Sequence, residues 1–381
     1  MSIYFDNAST SYPKPECVFE AMRYYCKNIG ANAGRSAHRR SVHASKLVFE
    51  TRELVAELIG AKDSSRIIFT QNATEALNLS ILGCGLKRGD HIITSSIEHN
   101  SVMRPLKFLE KERKILIDMI KCDKNGMLDP SDIESKITKK TKLITINHAS
   151  NVVGTILPIR AIGQIAYSHN IPFLVDAAQT IGCIPLDINE NHIDLLAFSG
   201  HKALLGPQGV GCLYIRKGIK IYPLKYGGTG SYSESEMQPD FLPDRFESGT
   251  LNLPGISGLR KGIEFIKEKG ITNIQKEMHA LTAELINRLS KIEKLTIYGT
   301  RDKTLQTGIV SFNINRKDPS EVGQLLDNEY DIAVRIGLHC SPQTHKTIGT
   351  FPNGTVRISL GSFNTIEDID KLCEALCQIT V

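Results

Sequence analysis

The sequence predicts an α/β fold built on a largely parallel β-sheet. Short runs of aliphatic and β-branched residues alternate with segments of helical periodicity, for example at 44–59 and 159–169. The predicted strands are followed by polar or glycine-containing segments and span residues 66–70, 91–95, 142–146, 172–175, 195–198 and 211–215. Such alternation indicates a sheet covered by helices, with a ligand site beyond the carboxyl ends of the strands.

A chain of 381 residues is long enough for two domains. The part after about residue 250 is predicted to contain a long helical stretch, two strands and a final helix, at 255–292, 295–298, 308–313 and 366–377. We therefore expect a large domain over 18–250 that binds the ligand. A smaller α/β domain is expected to comprise 251–381 together with 1–17.

Composition argues against several classes of protein. The formal net charge is only +5, from 46 Lys and Arg against 41 Asp and Glu, so a nucleic-acid-binding surface is not expected. Nine scattered cysteines with no CxxC pair do not predict a metal site. No apolar run approaches the roughly 20 residues of a membrane span. The amino terminus lacks a basic start and an apolar signal core, so we expect a cytoplasmic protein.

Lys202 is the strongest candidate for a catalytic residue. It lies just after the predicted strand 195–198, between Ser199-Gly200-His201 and a glycine-rich stretch. A lysine that binds a cofactor covalently must be reachable and nucleophilic. Ser199 and His201 can donate hydrogen bonds to a phosphate, and the glycines allow close approach of the backbone. This context favours a cofactor-bound lysine over a surface lysine.

Polar side chains that follow other strands are candidates for the same site. Asp176 could pair with a protonated ring nitrogen, and Gln179 could reach a ring hydroxyl. Asp176 could equally be a helix N-cap. Segment 70–76, with Thr74, turns from a strand into a helix and could bind an anion, or could be a capped helix without ligand.

His99 and Asn151 also follow strands. An imidazole such as that of His99 can stack on a planar ring, although a lone histidine is more often structural. Asn151 could contact the ring hydroxyl or a bound amino acid.

Nine segments, in order along nearly the whole chain, resemble the class V aminotransferase family and, within it, the cysteine desulfurases. They are YFDNAST (4–10), TQNATEALNL (70–79), EHNSVMRP (98–105), HASNVVGT (148–155), VDAAQ (175–179), FSGHKALLGPQGVG (198–211), FESGTLN (246–252), RIGLHCSP (335–342) and RISLGSFNT (357–365). The resemblance implies the pyridoxal 5′-phosphate (PLP)-dependent transferase fold of type I. Such a fold has a large domain with a mostly parallel seven-stranded sheet and a smaller α/β domain at the carboxyl end.

The resemblance also implies a role for each matching residue. Lys202 matches the lysine that carries PLP, and the other cofactor-binding positions are Ala73, Thr74, His99, Asn151, Asp176, Gln179, Ser199, His201 and Thr250. Among these, His99 matches the stacking histidine with a catalytic role. Thr250 matches a threonine that reaches the phosphate of the neighbouring subunit, which implies a homodimer. The substrate-binding positions are His38, Asn151 and Arg357, and the guanidinium of Arg357 suits a substrate carboxylate.

Cys340 is the residue that the resemblance links to sulfur transfer. In desulfurases the cysteine of this loop takes the sulfur of L-cysteine as a persulfide and leaves L-alanine. Its thiolate is the nucleophile, so a cation such as Arg335 or protonated His339 would help. Many members with a short cysteine loop carry two histidines directly before the cysteine. Here Leu338 is at the position of the first one. Cys340 and Arg357 are 17 positions apart, and this short spacing resembles that of the short-loop desulfurases. Members of that group commonly use a sulfur-acceptor protein.

Alternative functions remain open on the sequence. Selenocysteine lyase shares the scaffold and the cysteine loop, so selenocysteine is an alternative substrate. Another class V aminotransferase would consume a keto acid and would not need Cys340. A non-catalytic scaffold or sulfur-relay protein would lack bound PLP.

Overall fold

The computed structural model describes residues 2–34 and 36–380. Its α-helices are α1 (Glu16–Tyr24), α2 (Arg39–Leu58), α3 (Ala73–Gly83), α4 (Asn100–Arg113), α5 (Pro130–Ser135), α6 (Ile159–Ser168), α7 (Leu253–Lys269), α8 (Ile271–Leu289), α9 (Pro319–Tyr330), α10 (Pro342–Ile348) and α11 (Ile366–Thr380). Its strands are β1 (Ile3–Tyr4), β2 (Ile67–Thr70), β3 (His91–Ser95), β4 (Leu116–Ile120), β5 (Thr141–Asn147), β6 (Phe173–Asp176), β7 (Leu195–Ser199), β8 (Gly211–Ile215), β9 (Leu295–Tyr298), β10 (Ile309–Ile314), β11 (Ile332–Ala333), β12 (Arg335–Gly337) and β13 (Thr355–Ser359).

Seven strands form the large sheet, in the order β2-β8-β7-β6-β5-β3-β4. Only β8 runs antiparallel to its neighbours β2 and β7, so the prediction of a mostly parallel α/β sheet is confirmed. The strand β4 was not predicted, because Asp118 interrupts its apolar run and four of its five residues are exposed or half-buried.

Both faces of the large sheet are buried, as its apolar strands require. Ile93 and Ile144 belong to a core on one face, and their neighbours Ile92 and Leu143 belong to a core on the other. This alternation follows from the two-residue period of a strand. The parallel strands therefore bring their carboxyl ends, with the polar residues that follow, to one edge of the sheet.

The carboxyl-terminal part forms a four-stranded antiparallel sheet in the order β12-β13-β10-β9, packed on α8, α9 and α11. The short β1 pairs with β11, so the start of the chain joins this unit. The long helical stretch expected from 255 to 292 is two helices, which meet at Gly270 with φ +81°.

Helix α7 packs on the core of the large sheet, whereas α8 contributes Ile274 to that core and Leu285 to the core of the smaller sheet. The boundary between the two domains near residue 250 therefore stays a prediction. Within the described ranges, no helix combines the length and the apolar character that crossing a bilayer requires.

Candidate active site

A cavity of about 300 Å³ lies at the carboxyl ends of the parallel strands, and β12 and β13 close its other side. It brings together most of the residues predicted from sequence, namely Ala73, Thr74, His99, Asn151, Asp176, Gln179, Ser199, His201, Lys202, Cys340 and Arg357. The cavity is therefore the candidate active site.

One end of the cavity is the amino terminus of α3. Asn72 caps this helix, because its side-chain oxygen accepts the backbone N–H of Glu75 at 3.0 Å. The N–H of Ala73 donates to Ser199 Oγ at 2.9 Å, which joins α3 to the end of β7. A Cβ on Gly211 would lie 2.6 Å from the backbone of Asn72, so only glycine permits this approach. Helix termini of this kind bind anions.

Asp176 and Lys202 lie at the centre of the cavity wall. Asp176 ends β6, and its Oδ1 accepts the N–H of Ala178 at 2.9 Å. Residues 178–183 form turns and not an α-helix, so Asp176 is not a helix N-cap. Burial lowers the pKa of Lys202 to about 8, and the opposing effect of the negative charge of Asp176, which raises this pKa, is smaller. Lys202 can therefore act as a neutral amine near physiological pH.

His99 is the N-cap of α4. Its Nδ1 accepts the N–H of Ser101 at 3.0 Å, and Ser101 Oγ lies 2.7 Å from Thr74 Oγ1. Burial, with the nearby charge of Lys202, lowers the pKa of His99 to about 4. The ring is therefore neutral and is held in one orientation on the cavity wall.

His201 contributes a polar atom that lacks a partner. Its Nδ1 is buried without a hydrogen bond in the described part of the chain. Its carbonyl oxygen is held by the N–H of Ser11 at 3.0 Å and by Lys14 Nζ at 3.2 Å. Burial lowers the pKa of His201 to about 4. The loop that carries Lys202 is thus fixed by the amino-terminal segment, while the imidazole remains available to a ligand.

Gln179 also lines the cavity, where its Nε2 donates to the carbonyl of Ala8 at 3.1 Å. Its side-chain oxygen is the group that remains for a ligand hydroxyl.

Arg357, on β13, is almost fully buried in the opposite wall. Its Nη1 donates to the carbonyl of Asn151 at 2.8 Å, and its Nη2 donates to Asp6 Oδ1 at 2.6 Å and to Ser9 Oγ at 3.0 Å. Asp6 and Ser9 lie in the segment YFDNAST (4–10), but no role was predicted for them from the sequence. The charge of Asp6 offsets the buried guanidinium.

The loop after β12 presents Cys340 at the mouth of the cavity. His339 and Cys340 both have left-handed backbone conformations, with φ +47° and +58°. Asn151 Nδ2 donates to the carbonyl of His339 at 2.7 Å, and Asn100 N–H donates to that of Cys340 at 2.8 Å. Ser341 Oγ donates to Asn151 Oδ1 at 2.7 Å. The Asn151 side chain is therefore engaged by the cysteine loop as well as lining the cavity.

One expectation about this loop is wrong. Burial and the charge of Arg357 lower the pKa of His339 to about 2, so His339 is not the protonated group that assists Cys340. Arg335 takes that position, because its Nη2 lies 3.9 Å from Cys340 Sγ.

Glu98 is a buried residue next to His99, behind the cavity wall, and no role was predicted for it from the sequence. Its Oε1 accepts Ser95 Oγ–H at 2.5 Å and the N–H of Asn147 at 3.0 Å. Burial raises the pKa of Glu98 to about 8, so the carboxyl group is largely protonated at neutral pH. Its place before His99 was the available signal, but a sequence does not show that a glutamate is buried.

His38 and Thr250 lie outside the cavity of this single chain. His38 is exposed and caps α2, with its Nδ1 accepting the N–H of Ser41 at 3.2 Å. Thr250 is exposed in a groove beside Glu247. The predicted roles of both residues therefore need a second subunit.

Comparisons with known proteins agree with this geometry. A family profile described as aminotransferase class-V matches residues 3–372. A probable cysteine desulfurase from Methanothermobacter thermautotrophicus is 39% identical, over 99% of this chain and 94% of the relative. A cysteine desulfurase from Dictyoglomus turgidum is 35% identical, again over 99% of this chain and 94% of the relative.

Solved structures give the same result. The apo structure of a cysteine desulfurase from Thermococcus onnurineus has a TM-score of 0.94 at 38% identity, over all of this chain and 94% of the other. An Escherichia coli cysteine desulfurase has a TM-score of 0.90 at 27% identity, over all of this chain and 96% of the other. With a profile match over almost the whole chain and relatives this similar, the chain belongs to the class V aminotransferase family.

Proposed function

We propose that the protein is a PLP-dependent cysteine desulfurase, which converts L-cysteine to L-alanine and transfers the sulfur to Cys340. The single observation that carries this proposal is that Lys202, Arg357 and Cys340 line one cavity. A cofactor-binding lysine, a carboxylate-binding arginine and an exposed thiol together match the needs of the reaction.

The residues present fit the proposed cofactor. The α3 amino terminus, Ser199 and the free Nδ1 of His201 suit its phosphate, and the carboxylate of Asp176 suits its ring nitrogen. The neutral face of His99 suits stacking on the ring, and the side-chain oxygen of Gln179 suits its hydroxyl. Bound PLP supplies an electron sink for the electrons released at the substrate Cα.

The protein side chains supply the remaining steps. Arg357 binds the substrate carboxylate and orients the amino acid. Lys202 Nζ, whose pKa is lowered to about 8, takes and returns the proton at Cα. The Cys340 thiolate attacks the substrate sulfur, so a Cβ–S bond breaks and an S–S bond forms. The balance is L-cysteine plus a thiol giving L-alanine plus a persulfide, with no external oxidant.

Thr250 and His38 serve the second subunit of a homodimer in this proposal. Both are exposed and lie away from the cavity of their own chain, as a residue that completes a neighbour's site requires. Mixing the variants Lys202→Ala and Thr250→Val tests this, because hybrid dimers contain one site with both residues intact. Activity of the mixture above that of either variant supports a shared site, and no recovery contradicts it.

The persulfide on exposed Cys340 can be reached by the thiol of a sulfur-acceptor protein, which we propose as the physiological partner. All nine cysteines are free thiols, as is usual in a reducing cytoplasm, where we place the protein.

Alanine production from L-cysteine, with a thiol reductant present, tests the proposed function. Cys340→Ala should retain bound PLP and lose alanine and sulfide production, whereas the control Cys377→Ala, at another exposed cysteine, should behave as wild type. Borohydride reduction should fix PLP to the peptide that contains Lys202. Turnover of selenocysteine without turnover of cysteine would instead indicate a selenocysteine lyase, and full activity of Cys340→Ala would refute sulfur transfer to Cys340.

A further inference from the structure

We propose that Lys14 is a positioning residue for Lys202. In this proposal the ammonium group of Lys14 holds the carbonyl oxygen of His201, and so fixes the main chain from which the Lys202 side chain extends. The consequence for the cofactor rests on the proposed function, in which Lys202 binds PLP. The hold on the main chain does not depend on that function.

The carbonyl oxygen of His201 is surrounded by four donors from one short segment of the chain. They are Thr10 Oγ1 at 3.1 Å, the backbone nitrogen of Ser11 at 3.0 Å, Ser11 Oγ at 3.2 Å and Lys14 Nζ at 3.2 Å. Because the peptide bond is planar, this oxygen and the Cα of Lys202 belong to one rigid unit. Donors that fix the oxygen therefore also fix the point where the Lys202 side chain begins.

Two of these four donors depend on Lys14. An ammonium group can only donate, so Ser11 Oγ, which lies 2.9 Å from Lys14 Nζ, accepts from it and keeps its own proton for the His201 carbonyl. Lys14 also donates to that carbonyl directly, and a hydrogen bond from a charged donor is stronger than one from a neutral donor. Lys14 is therefore the residue whose loss should weaken the hold most.

Lys14 makes these contacts without a counter-ion. Within residues 2–34 and 36–380 its hydrogen bonds go to two neutral oxygens, and burial, which no neighbouring charge opposes, lowers its pKa to about 8. The amine is therefore still mostly protonated at pH 7. Partial burial of an ammonium group costs free energy unless hydrogen bonds replace the lost water. Because the bonds to Ser11 and His201 are that replacement, the ammonium group is held on the His201 carbonyl.

The segment that carries Lys14 is also joined to the opposite wall of the cavity. The N–H of Ala8 donates to Ser359 Oγ at 2.9 Å. Ser359 lies on β13, two positions after Arg357. The few residues from Ala8 to Lys14 therefore connect the strand of the carboxylate-binding arginine with the loop of Lys202, and Lys14 fixes the end of this connection at Lys202.

Hydrogen exchange of the holoenzyme, measured at single amides, tests the hold directly. The reporters are the N–H groups of Leu205 and Gly206, which donate to the carbonyls of Lys202 and Gly200, each at 2.9 Å. Lys14→Met keeps an unbranched side chain but has no donor. We expect this variant to exchange the reporter amides roughly tenfold faster than wild type, because a hydrogen bond from a charged group no longer holds the loop.

Two further variants make this result specific. Lys14→Arg keeps a cationic donor and should exchange the reporter amides like wild type. The matched control is Lys294→Met, because Lys294 Nζ also donates to a main-chain carbonyl, that of Thr380 at 2.8 Å, and neither residue lines the cavity. Unchanged exchange in Lys14→Met would refute the role of Lys14. Equal acceleration in Lys14→Arg or Lys294→Met, or an acceleration that extends to the amides of β10, would also refute it.

Covalent loading of the apoprotein with two aldehydes at pH 7, followed by absorbance, tests the consequence for the cofactor. PLP and pyridoxal, which lacks the phosphate, should both react roughly fivefold more slowly with Lys14→Met than with wild type, because the Lys202 amine is less well placed. A loss confined to PLP would mean that Lys14 acts through its charge on the phosphate, and would overturn the positioning role. If neither aldehyde labels Lys202 in the wild-type protein, the proposed function fails, while hydrogen exchange still decides whether Lys14 holds the main chain.

Discussion

Arg335 Nη2 lies 3.9 Å from the Sγ of Cys340, and the same guanidinium donates through Nη1 to Ser9 Oγ. This second contact holds the cation in place beside an exposed thiol. A guanidinium at this distance can pair with the thiolate, which is the reactive form of a cysteine. Arg335 is therefore the cation beside Cys340, for which the sequence predicted either Arg335 or a protonated His339.

Replacing Arg335 by Gln should slow the alkylation of Cys340 by iodoacetamide at neutral pH roughly threefold to tenfold, because the thiolate loses its cation. Arg335→Lys keeps a positive charge, but its single nitrogen cannot replace the two guanidinium nitrogens that contact Ser9 and Cys340. We therefore expect an intermediate rate of alkylation. Mass spectrometry of the modified peptides measures the rates, and exposed Cys377 provides an internal control. An unchanged Cys340 rate in Arg335→Gln would show that the contact does not activate the thiol.

The lowered pKa of Lys202 predicts how the rate of covalent PLP binding depends on pH. Only the neutral amine reacts with an aldehyde, and burial lowers the pKa of Lys202 to about 8. The rate at which apoprotein binds PLP covalently should thus rise roughly tenfold from pH 7 to 9 and then level off, whereas an ordinary lysine would give a rise of roughly a hundredfold. Stopped-flow absorbance measures this rate.

The charge of Arg357 contributes to the lowered pKa of Lys202. Arg357→Met should accordingly move the rise in loading rate to higher pH. A wild-type rate that still climbs steeply above pH 9 would contradict a lowered pKa.

The large sheet could be predicted because its buried strands are continuous apolar runs with polar ends. The edge strand β4 could not, since only one of its five residues is buried and its sequence lacks that signal. The break between α7 and α8 depends on the backbone conformation of Gly270, which helical periodicity does not reveal.

The wall of the site nearest the parallel strands was predictable because its residues lie at or just after the end of a strand, as Asp176 and Lys202 do. The opposite wall depends on pairing between distant parts of the chain. Asp6 meets Arg357 because the segment after β1 bridges to Ser359 on β13. Glu98 is a protonated acid because it is buried. Neither the contact between Asp6 and Arg357 nor the burial of Glu98 can be read from the spacing of residues along the sequence.

Glu98 predicts a pH dependence of stability. Its pKa is about 8 in the folded protein, raised by burial from an ordinary value of 4.5. Between these values the folded state keeps a proton that the unfolded state has lost, so the free energy of unfolding falls as pH rises, by at most about 1.4 kcal/mol per pH unit. Above pH 8 this contribution is constant.

Glu98→Gln retains the shape of the protonated acid and cannot ionise, so it should lack this slope. Urea denaturation of both proteins at pH 5.5, 6.5 and 7.5 measures the difference. Parallel pH dependences for the two proteins would mean that Glu98 is ionised in the folded state.

Arg52 and Glu247 form a buried ion pair at the edge strand β2. Two hydrogen bonds join them, at 2.7 and 2.9 Å, and Glu247 Oε1 also accepts the N–H of Phe69 at 2.6 Å. Arg52→Met leaves a buried carboxylate without its cation, and should lower the free energy of unfolding by about 3–5 kcal/mol. Arg23→Met, in an exposed pair with Glu16 at 3.6 Å, is the matched control and should cost less than about 1 kcal/mol.

Urea denaturation compares the free energies of unfolding of the two variants. Adding Glu247→Gln to Arg52→Met should recover part of the loss, because the uncompensated charge is then removed. Equal losses for the buried and exposed arginines would show that the Arg52–Glu247 pair is not what secures this edge of the sheet.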